Sequence, residues 1–134
     1  MKIPFNRPYF TGNEIQTIIK AAMAGQVSGN GLYTKKCHRI FEKKFGFTKT
    51  LLTTSCTDAL EMSAVLCNLH PGDEVIAPSY TFVSTPNAFA LHRAKIVFAY
   101  SSEYHPNIDP EKIEELITDK TRAIVLVHYG GVAC

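Results

Sequence analysis

Lys49-Thr50-Leu51-Leu52-Thr53-Thr54-Ser55-Cys56-Thr57-Asp58 joins a strand-like run to a cluster of small hydroxyl residues, and an apolar pattern of helical period follows. The spacing predicts a strand over 51–54 and a helix over about 58–69. At such a junction the first backbone N–H groups of the helix have no partner within it, and the helix dipole favours negative charge there. A phosphate group fits those donors. Ser, Thr and Asp at the same positions also serve as plain N-caps, so the local pattern leaves both an anion site and an ordinary cap open.

Downstream, the turn Pro71-Gly72-Asp73 leads to a strand over 74–77, a helix over 83–92 with Pro86 in its first turn, and a strand over 95–99. Asp109 as cap and Pro110 at the first helical position predict a helix over 110–117. Arg122-Ala123-Ile124-Val125-Leu126-Val127 reads as a last strand, with Ile124 to Val127 apolar enough to be buried on both faces. Strand and helix alternate three times. That rhythm predicts an α/β fold, a mainly parallel sheet with helices on both faces and right-handed crossovers. Upstream, Ile15, Ile18, Ile19, Ala22 and Met23 recur at helical spacing over 13–23, stopped by Gly25. Thr34 is placed to cap a second helix with Cys37, Ile40, Phe41 and Phe45 on one face, stopped by Gly46. Each of these two helices is expected to bury its apolar face.

Size and composition narrow the function classes. A chain of 134 residues holds one core rather than two comfortable domains. With 46% hydrophobic and 19% charged residues it has the balance of a globular chain, and no stretch approaches the roughly 18 apolar residues of a membrane span. The polar start, Met1-Lys2-Ile3-Pro4-Phe5-Asn6-Arg7, does not read as a signal peptide, which makes the cytoplasm the expected location and a membrane partner unexpected. Net charge is +2, and the densest basic cluster, Lys35-Lys36-Cys37-His38-Arg39, lies on a helix face without an aromatic platform. This reads as a solvated surface, with no nucleic-acid partner. Cys37, Cys56, Cys67 and Cys134 show no metal-ligand spacing, so reduced thiols and no metal site are expected, with Cys37 and Cys67 as core residues.

In parallel sheets ligands gather beyond the carboxyl ends of the strands. Ser55-Cys56-Thr57, Pro78-Ser79-Tyr80-Thr81-Phe82, the turn after Ala99 and His128-Tyr129-Gly130-Gly131 fall there. Phe82 reads either as a core aromatic or as a platform for a ring. His128 reads as a hydrogen-bonded strand-end residue, because no carboxylate can be placed beside it to orient a catalytic imidazole.

Thr54-Ser55-Cys56-Thr57-Asp58-Ala59-Leu60, Pro71-Gly72-Asp73-Glu74-Val75-Ile76, Pro78-Ser79-Tyr80-Thr81-Phe82-Val83-Ser84-Thr85, Asn87-Ala88, Asn107-Ile108-Asp109-Pro110, Ile117-Thr118-Asp119-Lys120-Thr121-Arg122 and Val127-His128-Tyr129-Gly130-Gly131 share order and gaps with one family. Together they resemble the pyridoxal-phosphate-dependent sugar-nucleotide aminotransferases of the DegT type. The resemblance implies the N-terminal part of a fold type I large domain. Residues 1–48 would be an N-terminal helical segment and 49–134 a partial cofactor-binding domain, about the first third of a member. Ile3-Pro4-Phe5-Asn6, Thr53 to Thr57 and His128 to Cys134 are most similar to the branch that moves an amino group from glutamate to C4 of dTDP-4-keto-6-deoxyglucose for surface-polysaccharide synthesis. A branch that dehydrates a keto-sugar, and a non-catalytic fragment that binds a partner or completes a split enzyme, are the alternatives.

Carried over residue by residue, the resemblance implies pyridoxal 5'-phosphate as cofactor, its phosphate held by Ser55, Cys56 and Thr57 through the Cys56 and Thr57 amides. It implies Phe82 stacked on the pyridine ring. Members often have glycine where this chain has Cys56, and acidic residues where it has Ala99-Tyr100-Ser101-Ser102. The Schiff-base lysine and the aspartate that pairs with the pyridinium nitrogen would both lie past residue 134, so the resemblance implies no catalytic residue within this stretch and no activity from it alone. A nucleotide-sugar substrate, glutamate and a homodimer are the implied partners.

Overall fold

The elements run α1 (Glu14–Met23), α2 (Leu32–Phe45), α3 (Cys56–Leu66), β1 (Glu74–Pro78), α4 (Ser84–Ala90), β2 (Lys95–Ala99) and β3 (Thr121–Ile124) in a computed structural model. Residues 2–4 and 6–134 are described, so Met1 and the Phe5 of the Ile3-Pro4-Phe5-Asn6 run fall outside it. Two compact units divide the chain, Met1–Leu52 and Thr53–Cys134.

In the second unit β1 is central. It pairs in parallel with β2, from Glu74 opposite Lys95 to Pro78 opposite Ala99, and in parallel with β3 on its other edge, giving the order β2-β1-β3. Pro78 costs the ladder nothing at this position, because the next amide, Ser79 N–H, donates to the Ala99 carbonyl at 2.9 Å. Successive side chains of β1 enter opposite layers. Val75 and Ala77 join Ala64 of α3, Ala88 and Phe89 of α4, Ala94 and Val125. Ile76 turns the other way, onto Ala99 and Ile108, with Val97, Ile113 and Leu116 packed beside them. Burial on both faces is why Val75-Ile76-Ala77 is continuously apolar. The expected α/β fold with a parallel sheet is therefore present.

At the amino ends of the strands, Glu74 is 6% exposed and its carboxylate is fully engaged. Lys95 Nζ donates to Oε1 at 2.9 Å and the Thr118 hydroxyl donates to Oε2 at 2.7 Å. The Lys95 hydrogen bond, then that of Thr118, holds the Glu74 carboxyl below its ordinary value of 4.5. A depressed folded-state value stabilises the fold above the unfolded-state value, and that contribution disappears as pH falls through the folded one. Acidification below about 4.5 is thus expected to lower the urea midpoint of the wild type. Glu74→Gln is expected to have a lower midpoint at pH about 7 and a flatter acid dependence; parallel pH curves for the two would contradict this role.

Several sequence expectations are corrected. The 51–54 run forms no strand: Thr50 N–H donates to Glu42 Oε1 at 3.2 Å and Leu52 N–H to His38 Nε2 at 3.1 Å, so side chains of α2 take the amides that a neighbouring strand would need. α2 starts at Leu32, with Gly31 rather than Thr34 at the N-cap, and it does end on Gly46 in the left-handed conformation (φ 70°). α3 starts at Cys56, two residues earlier than expected.

The 110–117 segment is two short 3₁₀ turns, Pro110–Lys112 and Glu114–Leu116. Its bonds join residues three apart, as from Ile113 N–H to the Pro110 carbonyl, so no α-helical ladder forms. Among the described residues β3 pairs with β1 alone, and Ile124 and Leu126 are 42% and 52% exposed, so the apolar run is not buried on both faces. α1 and α2 have no buried residue, so their apolar faces are left uncovered, and Cys67 is exposed rather than in the core. Among the described residues no helix is long and apolar enough to cross a membrane.

Candidate functional site

α3 begins on Ser55, whose extended backbone (φ −149°, ψ 165°) lets its side chain fold over the helix end. Asp58 N–H donates to Ser55 Oγ at 3.1 Å, and Ala59 N–H to the Ser55 carbonyl at 3.3 Å. Among the described residues nothing accepts from the Cys56 or Thr57 N–H. The cap reading and the anion reading of this junction therefore fall on different atoms. The Ser55 hydroxyl is the cap, and two adjacent amides at the positive end of the helix dipole remain free for an anion.

Nearby groups leave those donors open. Thr53 Oγ1 donates to the Ser55 carbonyl at 2.7 Å. The Asp58 carboxylate accepts from the Thr54 hydroxyl, which holds its carboxyl below the ordinary range. Cys56 has helical backbone angles and is not among the residues with positive φ, so glycine's freedom is not required at that position. Leu60 and Ala64 of α3 pack with Val75 and Ala77 of β1, and the chain turns through Pro71-Gly72 between them. α3 thus runs opposite to β1, which directs its N-terminus toward the carboxyl ends of the strands.

Phe82 lies in the loop between β1 and α4, and α4 packs along α3. It is 71% exposed whereas Phe89 of α4 is 4% exposed, so Phe82 is not a core aromatic of this chain. Two tyrosines face one another at the same sheet end: the Tyr80 and Tyr129 rings are 4.8 Å apart at 56°. The Tyr80 phenol, as a hydrogen-bond partner, pushes the Tyr129 phenol above its ordinary value of 10.0. His128 Nδ1 accepts from Cys134 N–H at 3.0 Å, the hydrogen-bonded strand-end role expected of it.

The structure places Ser55, Cys56 and Thr57 consecutively at the head of α3 and Phe82 in the loop that enters the neighbouring helix. The sequence reading missed the Tyr80–Tyr129 pair and the buried Asn107 beneath it. Asn107 stood in a recognised run, Asn107-Ile108-Asp109-Pro110, but nothing local marks its partners. Among the described residues no group of three or more His, Cys, Asp and Glu side chains comes together to hold a metal.

Known proteins share this fold. Over 132 residues the chain is 36% identical to an uncharacterised protein of Methanocaldococcus jannaschii and 35% identical to the spore coat polysaccharide biosynthesis protein SpsC of Bacillus subtilis, covering 98% of this chain and 34% of each relative. A Streptococcus pneumoniae protein described as a sugar aminotransferase, solved in its PMP-form, superposes with a TM-score of 0.89 at 29% identity, covering 100% of this chain and 34% of that one. Its PLP-form gives a TM-score of 0.85. The chain spans about a third of the length of the relatives it matches. The family model for DegT/DnrJ/EryC1/StrS aminotransferases matches residues 8–134, and the chain belongs to that family.

Proposed function

We propose that this chain is the cofactor-phosphate-holding N-terminal part of a pyridoxal-phosphate-dependent transaminase that aminates a nucleotide-linked 4-keto-6-deoxy sugar, with glutamate as donor, for surface-polysaccharide synthesis. The observation that carries the reading is the pair of unpartnered amides at Cys56 and Thr57, above the Ser55 cap. The donor set fits a phosphate monoester: two amides side by side, the helix dipole behind them, and no competing carboxylate on them. The keto-sugar branch and the homodimer rest on the motif resemblance, and the polysaccharide role is supported by the Bacillus subtilis relative's name.

Within this reading Cys56 and Thr57 bind the phosphate through their N–H groups, and Ser55 holds the helix end in shape. Phe82 limits the tilt of the pyridine ring. When bound, the cofactor supplies the electron sink for moving an amino group. The acid–base and ring-protonating side chains are assigned outside residues 1–134, so this stretch binds and orients but does not move the proton.

A second reading, that the chain acts by pairing with a complementary polypeptide, is favoured by the edge strand β3 with its exposed Ile124 and Leu126. It and the first reading are compatible when the partner carries the lysine.

The test is a titration with pyridoxal phosphate followed by borohydride reduction and intact-mass measurement. Saturable binding without a covalent adduct is expected, and no transaminase turnover by residues 1–134 alone. Phe82→Ala, at an exposed position, is expected to leave the urea midpoint unchanged and to weaken binding about two- to tenfold, the range of one aromatic contact. Absence of saturable binding, or an adduct at one specific lysine of this chain, would contradict the reading.

A further inference from the structure

Asn107 is 1% exposed, and its side-chain amide spends both ends on one distant turn. Nδ2 donates to the Val132 carbonyl at 2.8 Å, and Oδ1 accepts from the Tyr129 N–H at 2.8 Å. These partners lie 25 and 22 residues further along the chain. Asn107 itself sits in a fixed frame. Its carbonyl accepts from Ser102 N–H at 2.9 Å, Asp109 N–H donates to the Tyr100 carbonyl at 3.0 Å, and Ser101 bridges antiparallel to Ile108, which is 2% exposed in the core under β1 and β2.

The turn that it grips is otherwise held by hydrogen bonds within its own stretch of chain. Gly130 and Gly131 take φ of 63° and 82°, which glycine permits without enforcing. The turn's own bonds are Tyr129 N–H to the Val127 carbonyl at 3.0 Å, Gly131 N–H to the His128 carbonyl at 3.1 Å, Val132 N–H to the Tyr129 carbonyl at 3.2 Å and Cys134 N–H to His128 Nδ1 at 3.0 Å, all within residues 127–134. Removing the Asn107 amide would leave the Val132 carbonyl without this donor and the Tyr129 N–H with the Val127 carbonyl, at 3.0 Å, as its remaining acceptor. Tyr129 stands at the head of this turn, and its ring rests against Tyr80. Tyr80 opens the loop that carries Phe82, and Thr81 adds one hydroxyl contact to Thr85 at 2.9 Å. Phe82 itself is largely exposed, so the course of its loop sets where its ring points.

We propose that Asn107 is a positioning residue for the cofactor ring: by clasping the turn from Tyr129 to Val132 it seats Tyr129 against Tyr80, and so fixes the loop that presents Phe82. The proposal rests on Phe82 being the ring platform of the functional reading above. Asn107 touches neither the phosphate donors nor the ring.

Asn107→Ala removes both bonds; Asn107→Asp keeps the acceptor for Tyr129 N–H and, ionised, loses the donor to Val132. Nuclear Overhauser contacts between the Tyr80 and Tyr129 rings are expected in the wild type and are expected to vanish in both variants, with the β1 amide pattern kept. Affinity for pyridoxal phosphate is expected to fall about two- to tenfold, the range of one misplaced aromatic contact. Affinity for inorganic phosphate, which meets only the Cys56 and Thr57 amides, is expected to stay unchanged. A merely structural asparagine would move both affinities together or neither.

Should the Asn107 variants fail to fold, Tyr129→Ala removes the seated ring while leaving the Asn107 amide its two backbone partners, and the same split between the two ligands is expected. Ring contacts that survive in both Asn107 variants overturn the proposal. So does an unchanged pyridoxal phosphate affinity in every folded variant, and neither outcome touches the functional reading. A wild-type chain that binds no pyridoxal phosphate overturns that reading first, before any variant is measured.

Discussion

Replacing Cys56 with proline is expected to leave α3 folded and to weaken binding of inorganic phosphate or pyridoxal phosphate roughly 10- to 150-fold. The figure is the loss of one hydrogen bond to a charged group, about 1.5–3 kcal/mol. Proline is tolerated at the first helical position because the N–H it lacks has no intrahelical partner there and its φ already suits the helix. Ser55, just before it, has the extended backbone that a residue preceding proline adopts (φ −149°, ψ 165°). The substitution therefore deletes one donor and little else. Cys56→Ala, which keeps the amide, is the control and is expected to bind as the wild type does. An unchanged phosphate affinity in a folded Cys56→Pro chain would show that the Cys56 amide holds no anion.

Ile76→Ala is expected to have the largest effect on stability, lowering the unfolding free energy by about 2–5 kcal/mol. Ile76 is 0% exposed in the central strand, and it anchors the layer formed with Ala99 and Ile108 beneath Val97, Ile113 and Leu116. Its neighbours belong to β2 and to short turns held by strands and loops, so the cavity cannot close by a small side-chain shift. A loss of that size is a large share of the roughly 5–15 kcal/mol by which a domain of ordinary size is stable. Leu126→Ala, at a position 52% exposed beyond β3, is the comparison and is expected to stay within about 0.5 kcal/mol. Urea unfolding of the two variants checks this. Equal losses would mean that the sheet is not centred on β1.

The parts of the fold that were legible in the sequence are those whose determinants are local. β2 runs over the expected 95–99, β1 differs only by the added Pro78, and the Ser55 cap follows from its own neighbours. The parts that were not legible depend on a partner elsewhere. The 51–54 run has strand composition, but a strand also needs a neighbour, and the amides of Thr50 and Leu52 find Glu42 and His38 instead. Ile124 and Leu126 have the hydrophobicity of a fully covered strand, but among the described residues β3 has one neighbouring strand, so half of that expectation has nothing to meet. Asp109 and Pro110 did mark a helical start, with Glu111 N–H donating to Asp109 Oδ1 at 3.1 Å, while the tighter winding that follows had no signal in the pattern.

The candidate site divides in the same way. Ser55, Cys56 and Thr57 are consecutive, so the physics of a helix start is enough to single them out. Phe82 could be named as either a platform or a core residue, and its exposure speaks against the core reading alone. The Asn107 amide reaches residues 22 and 25 positions away, and a single sequence carries no mark of that pairing.

The most direct measurement for the phosphate cradle is a titration of the amide-labelled chain with pyridoxal phosphate and, in parallel, with pyridoxal lacking the phosphate, followed by the nitrogen–proton correlations of Cys56 and Thr57. With pyridoxal phosphate both amides are expected to move downfield and saturate together, as N–H groups do when they begin to donate to an anion, while pyridoxal leaves them in place. Equal responses to both compounds, or shifts elsewhere with Cys56 and Thr57 unmoved, would contradict the assignment of these two amides as the phosphate donors.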